Sequence, residues 1–456
     1  MLALVEPLWY QVSPMHRLMI AALVLCACCA AAQNQPDASL LAEIQKIKAI
    51  DNHTHVMKVV GPGQQDTEFD ALPCDPLEPS GAPTITRPEN PIFIKAWKEL
   101  YGYAYDDATP QHLRQLTAAK EKVRREQGEN FPAWVLDRLG IATMLANRVA
   151  MGAGLSTPRF RWVPYDDALL FPLNNTVMAD TPDRKIFFAR EEALLQRYAS
   201  DLEVKRLPAS LDEYVSRIVL PTLQRQKRAG AVAVKFEAAY LRALDFAPAP
   251  QDAAASVYLR QMGDARPSSL IPAPTKADYK ILQDYLFHVI AAEAGRLGMA
   301  VHLHTGAGCG GYFQLGGANP LLLEAGLDDP ALRKTNFVLL HAGWPFTRET
   351  AFLMGKPNVW ADTSEGWMIS PRELATYMRS WMEWYPEKIL FGTDLYAATP
   401  EIGWEEVGWQ TSQGARWALA EALTGMMNDG EIARPRALEL ARMVLHGNAA
   451  KLYGLR

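Results

Sequence analysis

Short runs of β-branched and apolar residues alternate with stretches whose apolar positions recur every three or four residues, from about residue 47 onward. The first kind fits a strand buried on both faces, and the second fits a helix with one buried face. The pattern predicts strands at 47–55, 142–146, 159–164, 231–237, 300–304, 336–341, 359–362 and 389–394. It predicts helices at 211–228, 277–297, 348–354, 372–381 and 412–426. Strands that alternate with helices pair in parallel through crossovers. Eight of them predict a closed (β/α)8 TIM barrel of the α/β class rather than an open doubly wound sheet.

Two stretches break the repeat. Residues 61–91 are rich in Pro, Gly and Asp and lead into helical segments near 94–100 and 111–126; residues 247–274 are rich in Ala, Pro and Asp. Both follow strand ends, where barrels place the loops that build active sites. They predict helical and loop insertions that cap the pocket, spanning about 57–138 and 240–275.

The apolar stretch at 18–32 is too short to span a bilayer, which takes about 20 apolar residues. Arg17 before it and Ala30-Ala31-Ala32 at its end fit a secretory signal peptide. Residues 1–14 carry Glu6 and no Lys or Arg, so Met15 reads as the true start. Removal of 1–32 leaves 33–456 as one barrel unit working in the periplasm or secreted. Lipidation at Cys28 is the rival reading, but Cys26 makes a poor lipobox.

The composition, 49% hydrophobic and 21% charged over 456 residues, excludes disorder, collagen and coiled coil. A net charge of −5 excludes a basic nucleic-acid footprint and leaves a small molecule as the expected partner. Three of the five cysteines fall in the leader, leaving Cys74 and Cys309. An oxidising compartment permits them to pair, although no spacing rule requires it.

The histidines carry the chemistry. His53 and His55 end the first strand as Asp51-Asn52-His53-Thr54-His55, and a side-chain period of two puts both imidazoles on one face. Two such histidines suit a borderline-soft divalent metal. Further candidates stand at other strand ends: His302 and His304 in Val301-His302-Leu303-His304, then His341, then Asp394 in Gly392-Thr393-Asp394. Catalytic groups on barrels come from the C-terminal ends of several strands. Lys235 and Glu237 share a face at the end of the fourth strand. Gly306-x-Gly308-x-x-Gly311 matches a dinucleotide fingerprint in letters only, because no helix opens there and no acidic residue ends the next strand.

This set, with Gly447-Asn448-Ala449-Ala450-Lys451-Leu452-Tyr453, resembles the amidohydrolase superfamily and its amidohydrolase-2 branch. The run from His304 through Asp362 is most similar to FluG-like proteins. The resemblance implies that His53, His55, Asp394 and, in mononuclear members, His304 bind a divalent metal, zinc foremost. His341 would join His304 on a second ion or act as an acid/base or polarising group. Lys235 would be a carboxylated bridge between two ions or a plain ammonium. Asp394 and His341 are then the catalytic pair. His302 is expected one pleat below the site, and His112, His288 and His446 in structural places. Arg242 lies one position from where the FluG-like pattern has its arginine.

The expected reaction is attack of metal-activated water on an amide- or ester-type C–N or C–O bond of a small molecule. The alternative is metal-dependent decarboxylation of a small carboxylic acid on the same barrel. Tyr240, Trp344 and Trp367, with Trp360, Tyr101 and Tyr103, are candidate apolar walls; Arg242 and Arg348 are candidate carboxylate clamps.

Overall fold

Eight short strands run parallel in chain order. β1 (Ala49–Thr54), β2 (Ile141–Asn147) and β3 (Phe160–Val163) form one run. β4 (Ala233–Phe236), β5 (Ala300–Leu303), β6 (Phe337–Leu339), β7 (Val359–Asp362) and β8 (Ile389–Leu390) form the other. Backbone bonds join the runs at both ends. Val232 N donates to Trp162 O (3.1 Å) and Lys235 N to Pro164 O (2.8 Å), which links β3 to β4. Asn52 N donates to Phe391 O (2.8 Å), and Asp394 N to His53 O (2.9 Å), which links β1 to the segment after β8. The ring closes, as the eight-strand pattern predicts. This computed structural model describes residues 35–455 except 62, 79, 80, 82, 263–272 and 365–368. The expected leader at 1–32 and the candidate wall Trp367 therefore lie outside the described residues.

Two features of β1 place the site. Ile50 packs in the barrel interior with Leu145, Val163, Val338 and Leu390. A register irregularity between Asp51 and Thr54 then interrupts the regular alternation. Within it Asn52 reaches across the interior to Asp362 (2.8 Å) and to the Tyr453 hydroxyl, while His53 and then His55 enter the mouth. The helix Asn448–Tyr453 closes the barrel floor, with Ala449, Ala450 and Leu452 against the interior cluster.

Helix starts follow local chemistry. Asn90, Thr181 and Ser370 each cap a free backbone N–H before a proline at the first helical position. The helix Pro182–Asp201 is absent from the expected set because Asp183 and Glu191 sit on its buried face and dilute the apolar period. The helix expected at 412–426 begins earlier, as Trp404–Asn428.

The first insertion includes an irregular strap, described over 63–78, and the helices Pro91–Tyr101 and Pro110–Gln127. The helices dock through a buried ion cluster: Lys120 Nζ lies 2.7 Å from Glu406, while Glu405 accepts from Arg124 (2.8 Å) and the Tyr101 hydroxyl (2.7 Å). The strap is fastened by a disulfide between Cys74 and Cys309, whose Cα atoms are 6.0 Å apart.

Candidate metal centre

Three donor atoms from opposite ends of the chain converge at the barrel mouth. His53 Nε2 lies 3.1 Å, and His55 Nε2 3.4 Å, from the same oxygen, Asp394 Oδ1. Ligands about 2.0–2.1 Å from a tetrahedral ion stand about 3.3 Å apart. The set therefore fits a divalent metal in both chemistry and spacing.

The two candidate ligand histidines and their neighbour His341 are braced. His53 Nδ1 is 2.9 Å from Asn147 Oδ1 at the end of β2. His55 Nδ1 is 3.2 Å from Asp70 Oδ2 and 3.1 Å from the Tyr165 hydroxyl. His341 Nδ1 is 3.0 Å from Ser364 Oγ, which donates in turn to Asp362 (2.8 Å), and 3.6 Å from Asp394 Oδ2. Outer partners of this kind fix the tautomer and aim of ligating imidazoles. Asn147, Asp70, Ser364 and Tyr165 are absent from the sequence expectations, because lone polar residues at a strand end or on a loop carry no spacing signal.

The backbone is bent to make this centre. His341 (φ 63°), Ala342 (φ 55°) and Asp394 (φ 50°) occupy the left-handed region, which side chains with a Cβ seldom enter. Hydrogen bonds hold them there: His341 N donates to Asp362 Oδ1 (2.9 Å) and Asp394 N to His53 O. Close approach also explains two of the three glycines of the false fingerprint, Gly306 and Gly308. A Cβ on Gly306 would lie 2.2 Å from Trp344 O, and one on Gly308 2.6 Å from the Phe313 ring.

Charge at the centre follows from burial. Burial, then the nearby Lys235 ammonium, pushes the His53 imidazole down to about 4. Burial holds His304 and His341 well below the usual range. Burial would lower His55 too, but the carboxylates of Asp70 and Asp394 raise it to about 10. Burial alone would raise Asp394; the imidazoles of His341, His53 and His55 instead hold it well below the usual carboxylate range. The two carboxylates flanking His55 thus demand a positive charge at this point.

The other expected site residues separate into two groups. His304 stays beside the centre, its ring 4.5 Å from that of His341 and its Nε2 2.9 Å from Ala307 O. Lys235 is fully buried with Nζ 3.4 Å from His53 Nε2, so its amine faces the ligand set. Glu237 comes within ligand reach of His55 and Asp70, and its Oε2 finds no hydrogen-bond partner among the described residues. The Tyr240 ring lies 4.6 Å from His304 and 5.0 Å from Phe313.

Arg242 does not join them. Its guanidinium is held by Asp284 (2.7 Å) and Gln283 (2.9 Å) and lies over the Phe246 ring in a buried network. Trp344 turns its indole N–H to Glu373 (2.9 Å), and Arg348 is exposed on the helix Thr347–Leu353. Trp360 belongs to the interior cluster at the floor and Tyr101 to the ion cluster under the cap, so neither is a wall. Tyr103 donates to Asp107 O within the first insertion. His302 binds the Tyr453 hydroxyl (2.7 Å) one pleat below, as expected. His112, His288 and His446 pair with Asp107, Asp329 and Lys48 O.

Residues 181–455 match the Amidohydro_2 family model, described as amidohydrolase. The chain belongs to the amidohydrolase family. A stretch of 168 residues of this amidohydrolase is 28% identical to the protein fluG of Emericella nidulans. The match covers 36% of this chain and 18% of that one, so the chain spans under a fifth of the curated relative's length. Among solved structures, a candidate metal-dependent hydrolase from Lactobacillus casei superposes with a TM-score of 0.57 at 16% identity, covering 92% of this chain and 98% of the other. A uronate isomerase from Thermotoga maritima superposes at 0.54 and 11% identity, covering 91% and 96%. At such identities the likeness is one of fold: the amidohydrolase barrel.

Proposed function

We propose that this amidohydrolase is an exported, metal-dependent hydrolase that cleaves an amide- or ester-type C–N or C–O bond of a small molecule with water. The observation that carries this reading is the spacing of His53 Nε2, His55 Nε2 and Asp394 Oδ1, 3.1 and 3.4 Å across the edges of a coordination tetrahedron. A divalent ion there, zinc by ligand type, supplies Lewis acidity that lowers the pKa of water to about 7 and polarises a carbonyl.

The chain's own groups do the rest. Asp394 stays ionised and touches both ligand histidines, so it takes a proton from water and returns it to the leaving group. His341 is kept neutral by burial and gives its Nδ1–H to Ser364, which donates to Asp362, so its Nε2 carries the lone pair and serves as a proton acceptor toward the substrate. Lys235 places its buried amine beside His53, where a carboxylated form would offer oxygens to a second ion. Tyr240 supplies an apolar wall next to His304.

Metal analysis of the purified protein, with a screen of amides, lactones, esters and carboxylic acids, tests the reading. One or two zinc ions per chain and hydrolysis of an ester or amide are expected. Release of CO2 from an acid without hydrolysis would transfer the site to decarboxylation, and interconversion of a uronate without either would transfer it to isomerisation. Export rests on the 15–32 leader; N-terminal sequencing of protein recovered from the producing cells should find residue 33 first.

A further inference from the structure

His55 is held differently from its neighbours. His53 and His341 are braced by Asn147 and Ser364, which stand at the ends of barrel strands β2 and β7. Asp70, which braces His55 at 3.2 Å, lies on the strap and belongs to no strand or helix. Its other oxygen, Oδ1, accepts from Leu72 N (3.1 Å). A carboxylate on an irregular segment keeps a fixed position only if the segment is fastened nearby, because loop backbone otherwise samples many conformations.

The strap is fastened on both sides of Asp70. Four residues before it, Asp66 takes a bidentate pair from the fully buried Arg148 guanidinium (2.8 and 3.0 Å), which also donates to Val56 O (2.6 Å). Four residues after it, Cys74 is bonded to Cys309. Cys309 in turn follows His304 by five residues, on the loop that leaves β5 beside the ligands. The disulfide thus ties the segment bearing Asp70 to a loop rooted in the metal centre.

We propose that Asp70 is a positioning residue that fixes the Nδ1–H of His55 and aims its Nε2 at the metal, and that the Cys74–Cys309 disulfide keeps Asp70 in that place. The inference rests on the metal centre proposed above. Asp66 and Glu68 anchor one side of the strap, Glu68 O accepting from Val149 N (3.0 Å); on the other side the disulfide is the covalent tie beside the buried Ala71 and Leu72, and without it the carboxylate is held to the imidazole at a less fixed distance. The disulfide then acts on metal retention although neither sulfur is a ligand.

The test uses the zinc-loaded full chain and measures the rate at which a chromogenic chelator removes zinc. Loss of an outer partner of a ligating histidine costs about 10- to 100-fold in affinity. Asp70→Ala should speed zinc loss by about that factor, and the paired variant Cys74→Ser/Cys309→Ser by several-fold. In the Asp70→Ala background the cysteine replacements should add nothing, because their effect passes through the same contact. Zinc loss from Asp70→Ala at the parent rate, or an undiminished cysteine effect in that background, overturns the proposal. A second readout needs no metal: in 15N-histidine-labelled apoprotein, the His55 Nδ1–H should be slowly exchanging in the parent and lose that protection in both variants. If the parent takes up no zinc, the functional reading fails, yet protection that is absent from the parent or unchanged in Asp70→Ala still overturns the clamp.

Discussion

At the residue scale, Asp394 carries most of the burden. It offers one oxygen to two histidines and lies within 3.6 Å of a third. Asp394→Asn keeps the size of the side chain and removes its charge, so turnover should fall by about 10²- to 10⁴-fold while far-UV circular dichroism is unchanged. His55 makes metal uptake pH-dependent. Its imidazole is raised to about 10 and is therefore protonated at pH 7, yet it must be neutral to ligate. Uptake of one zinc ion at pH 7 should release about one proton, which calorimetry in buffers of different ionisation enthalpy will report. His53, His55 and Asp394, the three whose donor atoms converge, are legible as candidates in the sequence because they stand at strand ends with a readable register, and the resemblance supplied their roles. Asp70 is not: its contact with His55 depends on how an irregular strap is folded back and tied.

At the element scale, the cap is joined to the barrel by charge. Lys120, from the helix Pro110–Gln127, is nearly buried beside Glu405 and Glu406 at the start of Trp404–Asn428. Removing one member of a buried ion cluster leaves the remainder uncompensated, which costs about 3–5 kcal/mol. Lys120→Ala should lower unfolding free energy by about that amount in urea titrations, and limited proteolysis should first cut within residues 91–127. Alternation of strands and helices was readable because each strand is a short apolar run between helix-forming stretches. Pro182–Asp201 escaped because its buried face carries Glu191 and Asp183, and those two carboxylates look like solvent-facing positions in a linear sequence.

At the scale of the whole molecule, acidity and cross-linking set stability. Burial raises Asp166 to about 7, with Gln226 its hydrogen-bond donor at 2.6 Å. Asp166 ionises near 3.8 when unfolded, so between about pH 4 and 7 the folded chain holds a proton that the unfolded chain releases. Its contribution to stability is therefore greatest below pH 4 and is lost as pH rises to 7. Asp166→Asn should flatten this part of the profile and gain a few kcal/mol over the parent at pH 8, as urea unfolding at pH 5 and pH 8 will show. The disulfide closes a span of 235 residues. By loop entropy its reduction should lower unfolding free energy by about 5 kcal/mol, measured with and without reductant. The pairing was chemically permitted by the sequence and fixed only by the fold, since two cysteines so far apart carry no spacing rule.

The Asn448–Tyr453 helix has a consequence for the order in which this molecule is made. Tyr453 reaches Asn52, immediately before His53, and also holds His302 beneath the ligands. A ribosome therefore delivers the two strand-one imidazoles long before the carboxylate they share at 394, and the tyrosine under them later still. In the metal centre proposed above, a nascent chain would carry half a chelate through most of its synthesis, and tight capture would await the finished barrel.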